Sequence, residues 1–143
     1  MDERTFKDRT RKFALAVVKV VESLPRSRTA DVLGRQLLRS GTSVGANYRA
    51  ACRGRSTSDV VAKLGIVEEE SDESIYWLEL LLDAGVIHRD RIDCLLKEAN
   101  EIVAMTVTST KTLRSRERAN APYGALLKST IENPKLQTPK SKI

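Results

Sequence analysis

A chain of 143 residues is the size of one domain and can bury a core without disulfide staples. Hydrophobic residues make up 41%, which excludes disorder by composition, and aromatics at 4% leave Ala, Val and Leu to fill the interior. Against 19 Asp and Glu stand 25 Lys and Arg, a net charge of +6 that suits nucleic acid or another anionic partner and serves solubility equally well.

No apolar run approaches a membrane span, and the start MDERTFKDRTRKF mixes acids with bases and leads into no clean signal-peptide core. The expected compartment is the cytoplasm, with no membrane partner. Cys52 and Cys94 are far apart and lack CxxC spacing, so they read as small reduced core residues.

Four segments carry helical patterning. The first, from about Glu3 to Leu24, places Phe6, Phe13, Val17, Val20, Val21 and Leu24 on one face and stops at Pro25. The second, from about Thr29 to Arg53, buries Leu33, Leu37, Val44 and Tyr48. Gly41 and Gly45 lie inside it, each costing roughly 1 kcal/mol of helix propensity against Ala. With Ser40, Ser43 and Ala46 they make a smooth surface that predicts close approach of a neighbouring backbone, or else a kink. The third starts after Ser56-Thr57-Ser58-Asp59, a run of good N-cap residues, and ends near Ala84 with Gly85 as its stop. Its main stripe is Val60, Leu64, Val67, Ile75, Leu78 and Leu82. The fourth runs from about Arg89 to Arg116 on a face of Ile92, Leu95, Leu96, Ala99, Ile102, Val103, Thr106, Thr110 and Leu113. No β pattern appears. The predicted fold is all-α, an antiparallel up-down-up-down four-helix bundle over residues 1–118. Residues 119–143, with three prolines and a Lys-rich end, read as a loosely ordered basic tail in which YGALLKSTI forms a short helical turn or docking strip.

The stretch QLLRSGTSVGANYRAACRGRSTSDVVAKLGIVEEESDESIYWLELLLDAGVI, Gln36 to Ile87, is more specific than composition. Its words LLRSGTSVGANYRAA, STSDVVAKL and ESIYWLELL resemble the bacterial four-helix-bundle family found in intervening sequences of 23S ribosomal RNA genes. With a looser match at Phe13 to Pro25, the resemblance covers roughly residues 6 to 115. It implies a four-helix bundle assembled into homo-oligomers, in the form of ring-shaped pentamers; it does not imply a known enzyme activity. The family is similar in fold to accessory proteins of diversity-generating retroelements, which bind nucleic acid and a reverse transcriptase. Glu68-Glu69-Glu70 departs from the family pattern, where a Lys or small residue often stands nearby, and the tail after Ala119 is longer than the family leads one to expect.

Charge is sorted by helix. From Arg26 to Arg55 there are seven Arg and one Asp; from Ser56 to Gly85 there are one Lys and eight acids. Arg28, Arg35, Arg39, Arg49 and Arg53 fall within one arc of roughly 80° on a helical wheel. The arginine fork suits phosphate, so this stripe, with Lys111, Arg114, Arg116 and Arg118 as a second patch, is a candidate surface for RNA or DNA. The competing reading is that the stripe pairs with the acidic third helix, within or between subunits. The third helix also carries a second apolar patch, Ile66, Trp77, Leu80 and Leu81, close to Glu69, Glu70 and Glu73. It reads as an oligomer contact centred on Trp77 with Glu73 beside it, or as a Trp partly buried at the bundle edge.

Catalytic chemistry finds no support. His88 is the one histidine, it sits in a turn, and no ExxH is present, so neither a di-iron site nor a base for Ser40, Thr42 or Ser43 is furnished. GTSVGAN lacks the GK[ST] ending of a phosphate loop. No metal and no cofactor is expected. The expected function is a non-catalytic, homo-oligomeric adaptor that binds nucleic acid. The alternative is a purely structural module that contacts itself or an unidentified protein partner.

Overall fold

The computed structural model describes residues 2–121. Four helices follow one another: α1 (Glu3–Glu22), α2 (Arg28–Ala51), α3 (Thr57–Asp83) and α4 (Arg89–Asn120). Among the described residues there is no strand. Each boundary has a local cause. Asp2, Ser27 and Ser56 are N-caps whose side chains accept from the backbone N–H three residues on, at 2.9, 3.1 and 3.1 Å. Asp59 reaches back from α3 to accept the Arg55 N–H at 3.0 Å, a reciprocal cap. The end of α3 is a Schellman motif: Gly85 donates to Leu82 and Val86 to Leu81, both at 3.0 Å, with Gly85 at φ +69°. A left-handed residue is needed there, which is why glycine occupies it.

Turns of five residues force consecutive helices antiparallel, giving the up-down-up-down bundle. Every helix packs against its sequence neighbours and α4 closes back on α1, the slightest of the four seams. The core is continuous: Phe13 and Val17 of α1, Leu37 and Val44 of α2, Val67, Leu78 and Leu81 of α3, Ile92, Ala99 and Ile102 of α4. Burying a Leu, Ile, Val or Phe side chain of this kind contributes about 1.5–3 kcal/mol each.

The glycines of α2 serve close packing, not a kink, since α2 is an unbroken helix. A Cβ on Gly41 would lie 2.7 Å from Val17 Cγ2, and one on Gly45 would touch Thr10 at 3.4 Å. Both therefore admit α1. On the α3 side small residues do the same work. Ser74 donates to Ser40 at 2.9 Å between two fully buried hydroxyls, and Ser71 donates to the Val67 carbonyl at 2.7 Å. Small side chains with satisfied hydroxyls let two helices approach closely without stranding polar atoms.

Three expectations are corrected. Leu81, placed in the outward patch, is fully buried. Because α3 shares the two widest seams of the bundle, with α2 and α4, its buried arc extends to Leu81, while Ile66 stays outside. Cys94, expected in the core, is exposed, while Cys52 is half-buried; both are free thiols. Finally, α4 runs on to Asn120, past the expected end near Arg116. The proposed tail from residue 122 onward, including YGALLKSTI, lies outside the described residues.

Candidate nucleic-acid interface

The basic stripe occupies the solvent side of α2. Arg28, Arg35, Arg39, Arg49 and Arg53 are all exposed. They recur on the face opposite Leu37 and Val44, so burying the apolar face turns the arginines outward. From Arg28 to Arg49 the stripe spans about 32 Å of helix, and Arg53, the expected helix end, follows in the turn just past the C-cap Cys52. Lys111, Arg114, Arg116 and Arg118 are likewise exposed, in the last turns of α4. Thr112, Leu113 and Arg116 share a groove with Ala51 and Cys52, so the C-terminal ends of α2 and α4 lie at one end of the bundle. Arg49 and Arg53 therefore sit at the same end as the second patch. Two helix C-termini face that end, and the basic side chains offset their partial negative charge.

Only one arginine of the stripe is taken up by α3. Arg39 pairs with Glu73, and with Glu70 at 3.3 Å. Glu73 also accepts from the Trp77 indole at 3.0 Å. Among the described residues no carboxylate lies within ion-pair distance of Arg28, Arg35, Arg49 or Arg53, nor of the four basic residues of α4. The acids of α3 are thus mostly spent on solvent, not on the stripe.

The sequence reading missed two basic residues. Arg55 and Lys63 line a shallow polar hollow with Arg53 and Asp59 where α2 turns into α3. Lys63 is the single cation of α3, and its four-residue spacing from Asp59, with which it pairs at 3.2 Å, was the available signal. A second unforeseen contact is Arg9, which bridges α1 to Glu98 and Glu101 of α4 and lies 3.2 Å from the Met105 sulfur. It pins the slightest seam of the bundle. Its two carboxylate partners raise the guanidinium pKa further above its ordinary range.

The outer face of α3 differs from the expected patch. Ile66 is 40% exposed and Tyr76 55%, whereas Trp77 and Leu80 are half-buried. Trp77 leans on the core and meets the Tyr76 ring edge to face at 4.9 Å between centroids. Gly65 stands beside Ile66, and a Cβ there would meet nothing within 4 Å. Ile66, Glu73, Trp77 and Leu80 keep their place as contact candidates, Leu81 does not, and Tyr76 joins them.

Glu73 titrates below its ordinary value of 4.5, chiefly through Arg39 and then through the Trp77 indole. A depressed folded pKa contributes stability that is complete above the ordinary carboxylate range and is lost as pH falls through the folded value. We expect the fluorescence of Trp77, the sole tryptophan, to change on acidification below about pH 4.5, as Glu73 releases both partners. An Arg39→Met variant should shift that change to higher pH. An identical profile in both proteins would remove Arg39 as the cause.

Among the described residues no three His, Cys, Asp or Glu side chains converge in metal-binding geometry. His88 is the exposed N-cap of α4 and makes no side-chain cap bond. No helix among the described residues is long and apolar enough to cross a membrane.

With this geometry in view, the family model for the 23S rRNA-intervening sequence protein matches residues 3–108. The chain belongs to the 23S rRNA-intervening sequence protein family. A crystal structure of a protein of unknown function from the S23 ribosomal protein family of Bacteroides thetaiotaomicron aligns with a TM-score of 0.72. That protein is 34% identical, and the alignment covers 78% of this chain and 99% of the other. No functionally curated protein sequence matches the chain. The family match takes in the α2 stripe and the whole of α3, and stops before the basic patch of α4.

Proposed function

We propose that this member of the 23S rRNA-intervening sequence family is a non-catalytic, homo-oligomeric cytoplasmic adaptor that binds RNA or DNA along its exposed arginines. The observation that carries the reading is the α2 stripe: four of its five arginines face solvent with no carboxylate partner among the described residues. Unspent guanidinium groups along α2 and the turn that follows it match a phosphate backbone by charge and by their donor forks. Binding through charge to a phosphate backbone is expected to tolerate sequence and to depend steeply on salt.

Self-association is carried by the outer face of α3, where Ile66 and Tyr76 are exposed and Gly65 leaves room for a helix to approach. The expected assembly is a closed ring of this chain, a pentamer by the resemblance to its family. Joining several stripes in one ring raises affinity through multivalency.

The test is a gel-shift titration of the full chain against single- and double-stranded RNA and DNA of mixed sequence at low salt, repeated across salt concentrations. Binding at micromolar protein or below, with log K falling linearly against log salt, supports the proposal. No shift with any of the four ligands at micromolar protein refutes it. The second reading, a structural interaction module, rests on the Arg39 contact to Glu70 and Glu73: ion pairing of that kind repeated between subunits would consume the stripe. It gains if binding is absent while the oligomer persists.

A further inference from the structure

The outer face of α3 holds more negative charge than the chain itself neutralises. Among the described residues, the ion pairs of α3 engage only Asp59, Glu70 and Glu73 of its acids. Glu69, Asp72 and Asp83 are exposed and lie within about 40° of Tyr76 on a helical wheel. Exposed Ile66 stands about 80° from Tyr76, so apolar and acidic side chains share this face. Two such faces set against each other would bring like charges together away from water, which opposes a symmetric contact. The face calls instead for a surface with an apolar floor and a basic rim.

The seam between α1 and α4 provides one. It is the slightest of the four, and a hollow of about 440 Å³ lies open along it. Phe13 and Leu95 of the core form its floor, with the half-buried Ala16 and Val20 beside them. The Arg9–Glu98 pair lies at one end and is already satisfied. Lys12 and Arg91 stand exposed at the rim. Among the described residues Lys12 pairs only with Asp8 of its own helix, at 2.7 Å, and Arg91 has no carboxylate within ion-pair distance. The lengths agree: the α1 wall from Arg9 to Val20 runs about 17 Å, and Ile66 to Tyr76 covers about 15 Å of α3. We infer that the outer face of α3 seats in the α1–α4 groove of a second copy, a head-to-tail contact that brings Glu69, Asp72 and Asp83 to Lys12 and Arg91. The inference rests on the self-association reading and adds to it the receiving surface. A head-to-tail contact repeated about an axis closes a ring, whereas a symmetric pair of α3 faces would stop at two copies. Neither surface includes Arg28, Arg35, Arg49 or Arg53, so assembly and phosphate binding do not compete for them.

Cys94 supplies the test. It is exposed on the α4 wall between Arg91 and Glu98, and Glu69 lies between Ile66 and Tyr76. The two positions therefore meet near mid-groove whichever way the seated helix runs. The full-length variant Glu69→Cys/Cys52→Ala is treated with a short bismaleimide linker, with helix content checked by circular dichroism and mass by light scattering. Ala62→Cys/Cys52→Ala, altered at an exposed position one turn before Ile66, is run in parallel, so that weakened assembly in one variant leaves the other readable. The expected product is a ladder of covalent oligomers, in which peptide mapping joins Cys94 of one copy to the introduced thiol of the next. Adding Cys94→Ser should remove the ladder, and adding Arg91→Glu should lower its yield about tenfold by setting like charges together. Products that stop at a dimer joined through two introduced thiols would overturn the inference, since the acidic faces would then meet each other. So would an oligomeric mass with no link through Cys94, in which case self-association stands and its receiving surface lies elsewhere. A monomeric mass in the unaltered protein would sink both readings. No readout involves nucleic acid, so the binding proposal is judged separately.

Discussion

Leu81→Ala is expected to cost about 2–5 kcal/mol of folding free energy, read as a lower urea midpoint by circular dichroism, while Ile66→Ala stays within about 1 kcal/mol. Both side chains belong to α3, and a wheel drawn from the sequence puts them in one outward patch. They differ in what covers them. Leu81 is fully buried in the shared core, next to the Schellman turn that ends the helix, and truncating it leaves a cavity that the surrounding bundle fills only partly. Ile66 is 40% exposed and makes little of the core. The assembly readout should run the opposite way. Ile66→Ala combined with Tyr76→Ala is expected to lower the mass measured by light scattering, while urea stability of the dissociated chain is nearly unchanged. A large loss of stability with Ile66→Ala and none with Leu81→Ala would reverse the assignment of the two faces. A monomer at high concentration in the unaltered protein would refute self-association outright.

Replacing Arg35, Arg49 and Arg53 together by Ala should reduce the salt slope of nucleic-acid binding by about 3 and weaken affinity at 0.1 M salt on the order of 10²–10³-fold. Each of the three is exposed and has no carboxylate partner among the described residues, so each is available for a phosphate. Arg39 is the internal control. It is already engaged by Glu70 and Glu73, and taking it away frees two acids instead of one phosphate contact. Arg39→Ala should therefore change the slope by less than any of the other three taken singly. Equal effects at all four positions would mean that the α3 pair gives way on binding. No effect from the triple variant would move the binding surface to the α4 patch or away from the bundle altogether.

Much of this architecture is legible in the residues, and the reasons are local. Three of the four helices begin at a side chain that caps them, Asp2, Ser27 and Ser56, and Gly85 ends α3 because a left-handed residue is required there. The two inner glycines of α2 signal close packing correctly, although only the coordinates identify α1, through Val17 and Thr10, as the helix that approaches. The arginine stripe needs nothing beyond the helical period to be seen. The Arg9 bridge was not legible: its partners lie some ninety residues away, and nothing local marks them.

The sequence by itself determined four helices, their antiparallel order, the caps of α3 and the solvent side of α2, because those properties follow from spacing along one chain and from turns too short to allow another topology. Only the tertiary structure decided which apolar side of α3 is left over, that Leu81 is core and Cys94 surface, that Ser40 and Ser74 satisfy each other, and that Arg39 alone is spent on the acidic helix. Helical periodicity states which residues share a face. It does not state how wide each seam is, and α3 shares the two widest seams of the bundle, with α2 and with α4, so more of its circumference is buried.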